Sequence, residues 1–223
     1  MLRSLVGSEM CIRDRLRCFA RGLAGNVTHA RPPTTVACAV DWHSYLPVGR
    51  VGSVNEQDLL HDLTPTAERL LERHMATTKE WFPHDYVPYG RGRDHDIGHQ
   101  WTEEDADLAG ASIGPEVRSA LLVNLLTEDN LPYYFRSVEQ MFGKDGAWGT
   151  WVRRWTAEEG RHSMVIYGYL MTTRAIDPVE LERGRMAQVS GGITPDPDSL
   201  FEGFIYLALQ ELATRISHRN TGA

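Results

Sequence analysis

The sequence has no apolar run approaching the roughly 18–20 residues that a membrane span requires. Its longest runs, such as Ala120–Val123 and Phe204–Leu209, are short. Beyond Cys38 there is no cysteine, and Cys11, Cys18 and Cys38 all fall in the first forty residues. The body of the chain therefore has no disulfide framework and no thiolate metal site, which suits a reducing compartment. Positive charge is scarce: 23 Lys and Arg stand against 30 Asp and Glu, a net charge of −7. That argues against broad nucleic-acid binding, which needs a basic surface. No convincing β-strand pattern and no repeat of fixed period occur. What remains is ordinary for a globular chain. At 223 residues, 42% hydrophobic and 24% charged, it can bury the core of a single domain and does not have the composition of a disordered chain.

Charge divides the chain. Residues 1–40 hold six Arg, no Lys and two acids, a net +4, leaving −11 for the rest. The words in residues 1–15, MLRSLVGSEMCIRDR, show no period, and GSEMCIRDR resembles a translated sequencing-adapter tail. This stretch is set aside from the fold, and residues 16–54 are left unassigned, an Arg-rich transit peptide being the rival reading. From residue 55 onward the chain reads as helices joined by Gly/Pro-rich loops. Thr64-Pro65 is expected to start a helix running to Trp81. Residues 82–101 read as an extended loop. Gly114-Pro115-Glu116 opens a second helix, which Pro132 kinks and Phe142-Gly143 ends. A third runs from Ala147 to just before Asp177-Pro178, and a weaker one covers residues 179–189. Ser199 and Glu202 form a capping box for the last. The fold class is all-α.

The chemistry lies in where the acids fall. Glu159 and His162 form an E-x-x-H pair, which alone reads as a surface ion pair. Its helical face says otherwise. Relative to Trp155, Glu159 lies at about +40° and His162 at about −20°, among Trp148, Trp151, Ile166 and Tyr169. Glu128 likewise lies within about 40° of Leu121, Val117, Phe135 and Phe142. Glu211 lies within about 40° of Phe204, Leu200 and Leu207, with Thr214 at about −60°. The Glu211 face is less clean, because Arg215 lies at about +40°. A carboxylate buried without a partner costs several kcal/mol. Carboxylates on apolar faces with an imidazole beside them are a donor set for a transition metal.

The words around these residues carry a resemblance. LLTEDNLPYYF (125–135), WTAEEGRHS (155–163), GFIYLALQELATRISHRNT (203–221) and KEWFPHDYVP (79–88) resemble the soluble acyl-ACP desaturases, the plant stearoyl-ACP type and its actinobacterial relatives, over about residues 55–223. The resemblance implies a ferritin-like helical bundle, a homodimer, holding two iron ions as a di-iron centre. It implies insertion of a cis double bond into an acyl thioester on acyl carrier protein, with dioxygen and reduced ferredoxin. By the same resemblance Glu128, Glu159, His162 and Glu211 match iron ligands and Thr214 a catalytic hydroxyl near the oxygen site. Trp81 matches a tryptophan in electron delivery. The implied location is cytoplasmic, or plastid in a plant. No side chain can break an unactivated C–H bond, whereas two carboxylate-bridged irons can store the equivalents. Arg161 is expected to face away from the metal stripe.

The resemblance also implies a second E-x-x-H, which the sequence does not supply. Asp96 and His99 have the spacing but lie in the Gly-rich loop, and Glu72 and His74 do not have it. The bundle is therefore expected to be incomplete at its C-terminus, with four of six ligands and no stable iron pair. Two other readings compete: another ferritin-like di-iron oxygenase acting on a small substrate, and a non-catalytic fragment whose acids serve packing. Arg91, Arg93, Arg183 and Arg185 could contact acidic acyl carrier protein, but solvated surface charge is the simpler account of them.

Overall fold

The computed structural model describes residues 55–108, 113–192 and 194–221. The expectations for residues 1–54 lie outside the described residues. Among the described residues seven α-helices follow one another: α1 (Glu56–Thr77), α2 (Glu103–Leu108), α3 (Pro115–Glu128), α4 (Leu131–Phe142), α5 (Gly146–Thr173), α6 (Pro178–Gly191) and α7 (Leu200–Thr221). Two 3₁₀ turns, Pro83–Asp85 and Tyr89–Arg91, punctuate the loop between α1 and α2. There is no strand among the described residues, so the all-α expectation holds. No helix among them is long and apolar enough to cross a membrane.

The long helix α5 is the axis. Its 28 residues span about 42 Å at 1.5 Å per residue, and α1, α3 and α4 pack against it. Two apolar clusters form along it. In one, Leu125 of α3 and Ile166 and Leu170 of α5 meet Ala175, Ile176 and Leu181. In the other, Val138 and Phe142 of α4 meet Val152 of α5 and Leu200 of α7, walled by Trp148, Trp151, Trp155 and Phe204. Phe142 has its ring centroid within 4.9–5.5 Å of three of those aromatics, in the offset and edge-on arrangements that ring quadrupoles favour. Gly149 permits a tight start to α5: a Cβ there would lie 2.1 Å from the Lys144 carbonyl.

Helix boundaries differ from expectation in α1 and at Pro132. α1 begins at Glu56, not at Pro65. Asn55 caps it, its side chain accepting from the Gln57 amide at 3.1 Å, and Glu56 and Asp58 complement the first turn. Pro65 therefore lies inside the helix. There Thr64 Oγ1 donates to the Leu60 carbonyl at 2.8 Å, which also accepts from Trp148 Nε1 at 3.1 Å. α1 also stops at Thr77, before Trp81. The second correction concerns Pro132, which begins a new helix instead of kinking one. α3 ends at Glu128, Asp129 and Asn130 form a turn, and Pro132 occupies the first turn of α4, where its missing amide hydrogen costs nothing. Half of the expected capping box forms: Ser199 accepts from the Glu202 amide at 3.2 Å, while the Glu202 carboxylate accepts from the Asp198 amide, one residue earlier than Ser199.

Candidate metal centre

α3, α5 and α7 each bring an acid to one region. Glu128 is 8% exposed, at the last residue of α3. Glu159 and His162 sit one turn apart on α5, with His162 Nδ1 2.9 Å from Glu159 Oε2 and 3.6 Å from Glu128 Oε2. Ligand atoms of Glu128, Glu159 and His162 all lie within 4.8 Å of one another. Glu211 is not in that trio. Its Oε1 accepts from Trp155 Nε1 at 3.0 Å, and the residue is exposed on one side, in keeping with the mixed face of α7. Thr214 Oγ1 donates to the Gln210 carbonyl of its own helix at 2.9 Å.

The electrostatics are those of a crowded donor set. Burial would raise the Glu128 carboxyl, but the imidazoles of His162 and His218 beside it outweigh that and hold it below the usual carboxylate range. The Glu211 carboxyl is pushed up, by desolvation first and then by the charge of Glu159, against the Trp155 bond. The His162 imidazole is pushed up to about 10, by Glu128 first and then Glu159, against its own burial. Yet His162 Nδ1, buried and beside two carboxylates, makes no well-directed hydrogen bond. A buried ring nitrogen facing carboxylate oxygens, with no donor geometry satisfied, is what a metal ligand looks like without its ion. The donor set of carboxylates and one imidazole fits iron, and the residues present therefore fit the implied group.

A second layer surrounds it. His218 Nε2 lies 2.8 Å from Glu128 Oε1. Trp81 stacks on His162 with ring centroids 5.9 Å apart and planes 10° apart. On Trp81 lies Arg161, its guanidinium 4.7 Å from the ring centroid and its Nη1 donating to the Trp81 carbonyl at 2.9 Å. Arg161 thus holds Trp81 in place against His162. His74 lies 2.9 Å from Glu158 Oε2 and ties α1 to α5. The family model described as fatty acid desaturase matches residues 55–223.

The chain belongs to the fatty acid desaturase family. It is 43% identical over 179 residues to DesA1 of Mycobacterium tuberculosis, provisionally named an acyl-acyl-carrier-protein desaturase, covering 76% of this chain and 52% of that protein. It is 34% identical over 175 residues to the chloroplastic acyl-acyl-carrier-protein desaturase 7 of Oryza sativa subsp. indica, covering 74% of this chain and 43% of that one. A solved structure of DesA2 of Mycobacterium tuberculosis aligns with a TM-score of 0.45 and 25% identity, over 74% of this chain and 66% of that one. The chain spans about half the length of the curated relatives it matches.

His218 is the site residue that sequence reasoning missed. It lies seven residues after Glu211, at about −20° on the same face, so the periodicity carried the signal. Of the four arginines considered for docking, Arg183 pairs with Glu180. Arg185 pairs with Asp129 and Glu182 and lies over the Tyr167 ring. Asp96 does not join His99 through its side chain: the His99 amide donates to the Asp96 carbonyl at 3.0 Å.

The acids open into an apolar cavity. Glu128, Glu159, Glu211 and Thr214 line it together with Val138, Met141 and Leu207; the cavity is narrow, about 60 Å³, and partly open to solvent.

Proposed function

We propose that the protein is an acyl-ACP desaturase, inserting a cis double bond into a saturated acyl thioester with dioxygen and two electrons from reduced ferredoxin. One observation carries the reading: three acids and a threonine share the wall of a mostly apolar cavity with Val138, Met141 and Leu207. A hydrocarbon has no polar handle, so a protein can only hold it by shape and apolar contact. The names of the rice and mycobacterial relatives point to the same substrate class.

Glu128, Glu159, His162 and Glu211 are the residues that would hold a di-iron centre, which when bound supplies the oxidising power for an unactivated C–H bond. The chain's own side chains do the rest. His218 orients Glu128, and Trp155 orients Glu211. Val138, Met141 and Leu207 keep water from the reacting carbons. The Thr214 hydroxyl rests on the Gln210 carbonyl, from which a side-chain rotation turns its proton into the cavity. The stack of Arg161, Trp81 and His162 supports a path for electrons from outside, and we include a homodimer in the proposal.

The test joins this chain to the C-terminal half of DesA1, loads ferrous iron, and supplies saturated acyl-ACP, reduced ferredoxin and oxygen. Mass spectrometry of the released acids should show a mono-unsaturated product that Glu159→Ala abolishes. A hydroxylated product would move the assignment to a di-iron oxygenase. No product from iron-loaded protein would overturn it.

A further inference from the structure

A second convergence of donors lies away from the acids. His95 and His99 come from the loop before α2, and Asp105 from the first turn of α2. Each offers one ligand atom, and these atoms lie within 4.8 Å of one another. Local chemistry brings them together. Gly98, at φ +85°, turns the chain in the left-handed region, and the two imidazoles end with centroids 4.4 Å apart. The Thr102 amide donates to Asp105 Oδ2 at 2.9 Å and aims the carboxylate back at the loop.

His99 Nε2 lies 3.0 and 3.1 Å from the two Asp105 oxygens, which a His–Asp hydrogen bond explains. That bond does not explain His95. Its side chain is only 15% exposed, and its Nδ1 faces Asp105 Oδ1 at 3.9 Å, beyond hydrogen-bond reach.

We propose that His95, His99 and Asp105 bind one divalent transition-metal ion of the zinc class, with a water in the fourth position. Two imidazoles and one carboxylate are the borderline donors that zinc takes, whereas calcium and magnesium want oxygen alone. Two ligands about 2.05 Å from a tetrahedral centre stand about 3.3 Å apart. The observed 3.1 and 3.9 Å from His99 Nε2 and His95 Nδ1 to Asp105 Oδ1 bracket that spacing, so small rotations of the rings complete the site. The partly exposed His99 provides the route in from solvent. The ion acts as a clamp. The loop it closes is otherwise held to the end of α5 by Trp101 Nε1 donating to the Arg174 carbonyl at 2.8 Å and by the close approach of Gly92 to Thr172.

The full chain, stripped of metal, is titrated with Co²⁺ and the visible d–d absorption of a tetrahedral ion is followed. The parent chain and His162→Ala should both develop the band at one equivalent. His95→Ala and His99→Ala should weaken it at least tenfold, while His99→Cys, which restores a ligand, should keep it and add thiolate charge transfer. Far-ultraviolet circular dichroism checks that each variant keeps its helices, and His99→Cys decides if an alanine variant does not. The proposal is overturned if no band develops, if the band survives both alanine variants, or if only His162→Ala removes it.

Discussion

Metal binding at Glu128, Glu159 and His162 should expel a proton, and the number expelled tests the reading of the site. The perturbation is anaerobic addition of Fe²⁺ to the metal-free chain at pH 7.5, in a His99→Ala background so that only this group is counted. Ligation needs a neutral imidazole. With its pKa pushed up to about 10 by the two carboxylates, the His162 ring is almost wholly protonated at that pH. An imidazole at its ordinary pKa of about 6.5 would be only roughly one-tenth protonated there. The expected release is therefore about one proton per ion, against about a tenth. The sign follows: a proton competes with the metal, so affinity rises about tenfold per pH unit until the ring titrates. Calorimetry in two buffers of different ionisation enthalpy gives the count. A release near one-tenth would show that Glu128 and Glu159 do not grip His162, and the geometry of the site would be wrong.

The packing makes further predictions. Leu170 is fully buried in the cluster that joins α3, α5 and α6, so Leu170→Ala should cost about 2–5 kcal/mol in urea unfolding. Gly149→Ala would place a Cβ 2.1 Å from the Lys144 backbone and should cost about 1–3 kcal/mol, seen as a lowered Tm. Arg185→Ala would strand the buried Asp129 carboxylate and remove the cation over Tyr167. About 2–3 kcal/mol of stability should go with it, a little less than for a wholly buried pair, and Asp129→Asn in the same background should recover part of that loss.

Helical periodicity made much of this legible. The three acids stood out because a period of 3.6 residues placed them among Trp148, Trp151, Phe135 and Phe204, and the fold does bring Glu128, Glu159 and His162 together. His218 was equally readable on the Glu211 face. The starts and stops of helices were harder. Thr64-Pro65 has the chemistry of a cap, but Asn55 caps nine residues earlier and the helix runs through. Pro132 is compatible with a kink or a fresh start, and only the turn at Asp129-Asn130 decides. The meeting of His95, His99 and Asp105 was beyond periodicity altogether, since it depends on how an irregular loop folds over α5.

Glu128 is the final residue of α3, and Pro132 has no amide hydrogen to offer its carbonyl. The backbone rung that would pin this acid one turn later does not exist. Swinging the carboxylate between the two imidazoles that flank it asks only for torsion about its own bonds, without unwinding a coil. In the proposed metal centre, this is where an oxygen donor could slide as charge and geometry change around it.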